Sequence, residues 1–170
     1  MALHGKLIDD ASGTAAETDT EWELISDRVM GGVSEGALTT HEVSGRRARH
    51  MTGQVSLEND GGFLQMALDL SPDGGAIDAS GFEGIEVTAR GTGSDYNIHL
   101  RTEAVARPWQ SYRLTFHAGP DWATHRLPFA DVTAHRIDAP FDAATLRRIG
   151  IVAIGRRMQV DLAVARLAFY

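Results

Sequence analysis

Gly32-Val33-Ser34-Glu35-Gly36 has the form of a nucleophile elbow, G-x-S-x-G. That motif works only where a strand turns sharply into a helix and lifts the serine above a parallel sheet. Here Ala37-Leu38-Thr39-Thr40-His41 follows, which reads as a strand, so the segment is expected to be a glycine-rich loop. Gly91-Thr92-Gly93-Ser94-Asp95-Tyr96 opens like a dinucleotide fingerprint, but Tyr96 replaces the third glycine and no helix follows. A hairpin between strands ending at Arg90 and starting at Tyr96 accounts for it better. Met30-Gly31-Gly32-Val33-Ser34 could form a nest of backbone N–H groups for an anion, although such runs are more often close-packed loops. The seven histidines form neither H-x-H nor H-E-x-x-H, so no zinc site is expected and the imidazoles read as surface groups. Glu58-Asn59-Asp60 before Gly61-Gly62 offers hard oxygen ligands to calcium, against the commoner turn capped by its own Asn and Asp. Asp27 with Glu58, or Glu86 with Asp95, could be imagined as acid/base pairs, but glycosidase carboxyls must lie about 5–9.5 Å apart across a cleft, which spacing does not supply. No metal or cofactor is expected, and a hydrolase ranks below both a protein-assembly and a small-ligand role.

Polar residues alternating along the strands offer a different chemistry. If three strands lie adjacent, Glu86, Thr88, Arg90, Asn97, His99, Arg101, Arg113 and Thr115 share one surface, with Trp109 and Gln110 at its rim. Arg and Asn beside an aromatic ring suit a hydroxyl-rich or anionic ligand, since polar groups fix orientation while the ring supplies apolar area. The ordinary alternative is a solvated sheet face.

The elements that must position these residues have a period of two. Leu64, Met66, Leu68 and Leu70 alternate with Gln65, Ala67 and Asp69, and the same holds around Ile85, Ile98 and Leu114. One buried and one wet face is the mark of antiparallel sheets. Asn59-Asp60-Gly61-Gly62, Ser71-Pro72-Asp73-Gly74-Gly75 and Gly119-Pro120-Asp121 supply turns at short spacing, which suits a sandwich or jelly roll. Asp9 to Asp19 reads as a loop after a short first strand. Asp142 to Arg148 is the one helix-like stretch, one or two turns at most, with Asp142 as N-cap and its arginines at the C-terminal end. Ile149 to Ile154 is continuously apolar, as in a strand covered on both sides, and Gln159 to Tyr170 reads as a last strand with Leu162, Val164 and Leu167 inward.

Composition sets the bounds. A chain of 170 residues, 43% apolar, has the size of one domain (1–170) and can bury a core without staples. With no cysteine, disulfide scaffolds, thiol nucleophiles and cysteine-held metal are excluded. A net charge of −7, from 23 acidic and 16 basic residues, argues against nucleic-acid or anionic-membrane binding. Arg46-Arg47 with Arg49 is the densest basic spot and is too small to reverse this. No apolar run nears the roughly 18–20 residues that span a bilayer, and Met1 to Lys6 shows no signal-peptide core, so a cytoplasmic chain without membrane insertion is expected.

Trp22 and Ile25-Ser26-Asp27-Arg28-Val29-Met30-Gly31-Gly32-Val33-Ser34-Glu35-Gly36 closely resemble the signature of the complex I intermediate-associated protein 30 family. Gly53 to Phe63 is similar to its second block, and Phe82-Glu83-Gly84-Ile85 with Arg90-Gly91-Thr92-Gly93 and Tyr96 to its third. Tyr112, Phe116, Trp122, Pro128-Phe129 and Ile149-Gly150-Ile151 fall in the family's order, so the resemblance runs from about Trp22 to Tyr170. Before the last strand the family tends to have a Gly-x-Phe turn, where this chain has Arg156-Arg157-Met158-Gln159.

The resemblance implies an all-β, antiparallel jelly-roll sandwich of the galactose-binding-like kind. It also implies a non-catalytic assembly factor, because mitochondrial relatives act as chaperones for the proton-pumping NADH:ubiquinone oxidoreductase. Partners would then be subunits or assembly intermediates of respiratory complex I. Carried over by position, the functional surface would include Asp27, Met30, Gly31, Gly32, Ser34, Glu58, Asn59 and Arg101. On chemical grounds Asp27 and Ser34 are expected to bond across the glycine loop and stiffen it, and Met30 to plug the sandwich or meet a partner. The alternative is a small-ligand or carbohydrate-binding module using Arg90, Asn97, Arg101, Trp109 and Arg113.

Overall fold

The structure is a computed structural model that describes residues 6–60 and 62–170; the side chains of Met30 and Asp60 also lie outside the description. Twelve strands are described: β1 (Lys6–Asp9), β2 (Glu23–Ser26), β3 (Glu35–Val43), β4 (Arg46–Val55), β5 (Phe63–Asp69), β6 (Gly84–Arg90), β7 (Ser94–Thr102), β8 (Ser111–Ala118), β9 (Ala123–Pro128), β10 (Thr133–His135), β11 (Leu146–Ile154) and β12 (Met158–Phe169). They form two antiparallel six-stranded sheets. The first runs β3-β4-β12-β6-β9, with β1 pairing the end of β12, and the second runs β10-β8-β7-β11-β5-β2.

Period-two alternation sets the sandwich. Leu64, Met66, Tyr96, Ile98, Tyr112 and Ile151 of the second sheet meet Met51, Ile85, Val87, Leu162, Leu167 and Phe169 of the first in one buried cluster. Burying each such side chain contributes about 1.5–3 kcal/mol. A bulge between Val164 and Arg166 shifts the parity of β12, which is why both Val164 and Leu167 face inward.

Three expectations need correction. The segment after Arg90 is no hairpin: β6 pairs with β12 and β9, whereas β7 pairs with β8 and β11. Gly91 and Gly93 carry the chain from one sheet to the other, and their N–H groups donate to Gly119 and Ala118 carbonyls at the end of β8. The expected common polar surface is therefore two surfaces. Glu86, Thr88 and Arg90 lie on the outside of the first sheet, and Asn97, His99, Arg101, Arg113 and Thr115 on the outside of the second. The helix-like stretch shrinks to a 3-10 turn over Ala143–Thr145, capped by Asp142, whose side chain accepts from Ala144 N–H at 3.0 Å. Arg147 and Arg148 belong to β11, because the apolar run after them draws the strand register back to Leu146.

The apolar run in β11 is buried as expected from Ile149 through Ala153. On its outer side Gln65 leans over Gly150, where a Cβ would collide with the carboxamide.

The first sheet closes off its own outer face. Trp122 and Val43 cover Ala48, Ala163 and Ala165, and the Arg46 guanidinium lies 5.3 Å over the indole. Glu86 takes both Arg126, at 3.0 Å, and Arg166, at 2.5 Å. At its edge a buried ion pair fastens β1 to β4. Arg49 donates to both oxygens of Asp9 at 2.9 Å, Trp22 Nε1–H adds a bond at 2.8 Å, and Thr40 accepts from the same guanidinium.

Asp9 and Arg49 are only 3% and 2% exposed, so removing one partner strands the other charge. Arg49→Met is expected to cost about 3–5 kcal/mol in urea unfolding, and the double variant Asp9→Asn/Arg49→Met to recover part of that.

Candidate functional site

Two regions bring chemistry-bearing residues together. The first is the DRVMGGVS segment at one end of the sandwich. Ser26 caps a 3-10 turn over Asp27–Met30, its hydroxyl accepting from Arg28 N–H at 3.2 Å. Gly31 ends the turn at φ 87°, a left-handed conformation that costs glycine little. Gly32 then passes so close to Asp27 that any Cβ there would strike the carboxyl group.

Asp27 is fully buried. One of its oxygens accepts the Ser34 N–H at 2.9 Å; the other takes the Ser34 hydroxyl and the N–H groups of Gly62, at 2.5 Å, and Phe63, at 3.3 Å. Ser34 Oγ in turn accepts from Ser56 N–H at 2.9 Å. One carboxylate thus fastens the loop to the segment leaving β4 and to the start of β5. Burial works against its charge, but the bonds from Ser34, Gly62 and Phe63 outweigh burial and hold its pKa below the ordinary value of 3.8. The nucleophile elbow fails here for a physical reason: Ser34 is fully buried, its hydroxyl is engaged with Asp27, and β3 rather than a helix follows.

Segments braced by this knot carry exposed side chains. Val29 is 74% and Leu57 45% exposed, while nearly every other large aliphatic residue described is covered. Arg28 Nε–H donates to the Ser34 carbonyl and the guanidinium pairs with Glu35, beside an open cleft of about 410 Å³ lined by Leu24, Ser26 and Gly36. Glu58 and Asn59 are exposed, with Asn59 left-handed at φ 57°. Gly61 and the side chains of Asp60 and Met30, on which the calcium and plug expectations bear, lie outside the described residues. Among the described residues no group of three His, Asp or Glu side chains is placed to hold a metal ion.

The second region is the outer face of the second sheet. Register puts Gln65, Val152, Asn97 and Thr115 in one row, Ala67, Gly150, His99 and Arg113 in the next, and Asp69, Arg148 and Arg101 in the third. Thr115 Oγ1–H donates to Asn97 Oδ1 at 2.8 Å. Arg101 reaches the Gln110 and Arg107 carbonyls at 3.3 and 3.5 Å, tying down the loop that displays Trp109, which is 55% exposed. Of the five residues expected to form a ligand surface, Asn97, Arg101 and Arg113 share this face with Trp109 at its end. Arg90 does not, and its Nε–H is bound to the Pro120 carbonyl at 2.9 Å.

Two histidines depart from the expected surface role. His99 and His125 each have Nε2 buried without a partner among the described residues. His125 packs against Phe116, and burial followed by the nearby His117 lowers its pKa. Sequence reasoning also missed Val29 and Leu57, although an aliphatic residue inside each polar turn was the available signal. Arg148 was hidden by its place in a helix-like stretch.

Two stacked antiparallel sheets define a galactose-binding-like jelly roll. The fold matches the family 11 carbohydrate-binding module of the cellulosomal cellulase Lic26A-Cel5E of Clostridium thermocellum, with a TM-score of 0.77 at 14% identity over 99% of this chain and 95% of that one. A structure of the family 11 module from the same organism, in complex with a β-1,3-1,4-mixed-linked tetrasaccharide, gives 0.74 at 15% identity over 99% and 96%. The family 30 module of its cellulase Cel9D-Cel44B gives 0.64 at 14% over 99% and 98%. At such identity the likeness concerns the fold. No curated protein matches the sequence. The model of the complex I intermediate-associated protein 30 family matches residues 12–164, and the chain belongs to that family.

Replacing Asp27 by Asn puts an amide where N–H and O–H donors converge. We expect a loss of about 3 kcal/mol at pH 7. The lowered pKa of Asp27 means its contribution is complete above the unfolded value near 3.8 and is lost as pH falls through the lower folded value. The gap between wild type and Asp27→Asn in guanidinium unfolding should therefore narrow below that pH.

Proposed function

We propose that this chain is a non-catalytic assembly factor that docks a protein partner on the end braced by Asp27. The observation that carries the reading is the display of Val29 and Leu57 on segments fastened to one buried carboxylate. A loop already held in place loses little conformational freedom when a partner binds, so apolar contact there converts efficiently into affinity. Membership of the complex I intermediate-associated family supports subunits or assembly intermediates of respiratory complex I as that partner. Such docking would take place on the cytoplasmic side, the location expected from the sequence. The engaged state of Ser34 and the binding-domain character of family and fold neighbours support a role without bond-making chemistry.

A second reading is favoured by one feature, the placement of Asn97, Arg101 and Arg113 on one face that ends at the exposed Trp109: a small polar ligand, such as a sugar, on the second sheet's outer face.

Capture from detergent-solubilised native membranes tests the docking reading. Wild type is expected to recover complex I subunits, and Val29→Glu and Leu57→Glu to recover about tenfold less at unchanged melting temperature. Recovery of no such subunit by wild type, or equal recovery by both variants, would overturn it.

A further inference from the structure

The two outer faces balance charge differently. On the outside of the first sheet Glu86 meets Arg126 and Arg166, Asp161 meets His50, and Arg90 donates to the Pro120 carbonyl at 2.9 Å. On the second, Arg148 is satisfied by Asp69 at 2.7 Å and Glu23 at 3.2 Å. Arg101 and Arg113 have no carboxylate within ion-pair distance among the described residues. Arg113 bonds only a neutral oxygen, Ser111 Oγ at 3.0 Å, and Arg101 only backbone carbonyls. Both guanidinium groups are partly buried. Arg136 adds charge from the loop after β10, where its carbonyl is held by Gln110 Nε2–H at 3.1 Å and its backbone is left-handed at φ 57°.

Half-buried positive groups without counter-charge are costly, and this chain has carboxylates to spare at a net charge of −7. On this face Asp69 and Glu23 are bound to Arg148 and Asp95 to His117, which leaves no carboxylate within ion-pair distance of Arg101 or Arg113 among the described residues. Burial and like charge both work against each guanidinium. Burial, then Arg148 and Arg147, pulls the Arg101 pKa down; burial, then Arg136, does the same to Arg113. His99 stands between Arg113 and Gly150 in the same row. Its pKa is pushed down to about 3 by burial first, then by Arg113, His135 and Arg101, so the ring is neutral at physiological pH; its shielded Nε2 has no partner among the described residues. Facing it are Arg113 from β8, Arg101 on its own strand, His135 from β10 and Arg148 from β11, with Asp69 of β5 and Glu23 of β2 beyond, both bound to Arg148. Ala67 beside it raises little side-chain bulk, and the Gln65 carboxamide lies over Gly150.

We infer that this face binds a small ligand carrying a carboxylate or phosphate, gripped by Arg113 and Arg101 beside the neutral His99 ring. A planar guanidinium meets two anion oxygens at once, which a neutral hydroxyl group cannot match. The inference rests on the second reading of this face and adds the ligand's charge. Trp109, exposed at the end of the face, suits the apolar side of a sugar ring. The anion could be the carboxylate of an acidic sugar or the phosphate of a sugar phosphate.

Amide NMR titration of the full chain with glucuronate, glucose 6-phosphate and glucose separates these. At least one anionic sugar should shift the amides of residues 97–101, 111–115 and 148–152 and bind about tenfold or more tighter than glucose. Glucuronate alone would name a carboxylate, glucose 6-phosphate alone a phosphate. Bound anion also offsets the positive neighbours, so the His99 ring should titrate at higher pH in the complex. Arg113→Gln should remove the preference at unchanged melting temperature, and Arg113→Lys should restore part of it. Glucose binding as tightly as both anions would overturn the inference and leave the ligand-face reading standing. No shift with any of the three at millimolar concentration would overturn both.

Discussion

Each sheet has one side that must leave water, and that requirement organises everything else in the molecule. Tyr96, Tyr112, Met51 and Phe169 are buried between the layers, so the residues alternating with them have no choice but to face outward. Polar groups cannot be shared between the faces of one strand, and each outer face must settle its own charges. The first sheet does so with internal ion pairs and the Trp122 cover. The second keeps guanidinium groups without acidic partners around a neutral imidazole, which is the arrangement of a surface that receives its counter-charge from elsewhere.

At the end of the sandwich the chain meets a different problem, because strands leaving two sheets expose N–H groups that no ladder satisfies. Asp27 gathers N–H groups from Ser34, Gly62 and Phe63 around one carboxylate. A buried charge of this kind is tolerable only when its oxygens are fully engaged, and here they are. The same bonds convert a glycine-rich segment, which would otherwise be loose, into a fixed platform for Val29. Gly32 matters for space more than for flexibility, since the carboxylate occupies the place of its missing side chain.

These two regions differ in the ligand each could hold. The braced end offers aliphatic surface on a rigid base and suits a protein; the sheet face offers hydrogen bonds and positive charge and suits a small anion. Both are open rather than enclosed, and the hydroxyl that superficially resembled a nucleophile is instead a bonded part of the brace. Belonging to the complex I intermediate-associated family and having the fold of carbohydrate-binding modules are therefore compatible, because the two readings draw on separate surfaces.

Local alternation settled much of this before any strand was placed. Leu64, Met66 and Leu68 against Gln65 and Asp69 determine which side of β5 is wet, and the Trp22 and DRVMGGVS residues identify the family, because both signals lie within a few consecutive positions. The Asp142 cap was legible for the same reason. Strand partners were not, since a period of two states which face is buried and says nothing about which neighbour is bonded. Thus Arg90 and Tyr96, five residues of loop and strand start apart, end in different sheets. His99, Arg101, Arg113, Arg136 and Arg148 come together only through long-range pairing of β7, β8, β10 and β11, and the exposure of Val29 depends on bonds from Asp27 to residues 35 and 36 positions away. Composition and pattern decided the kind of sheet; only closing the chain on itself decided which charges would stand together, because electrostatic fields depend on distance in space and not on order along the backbone.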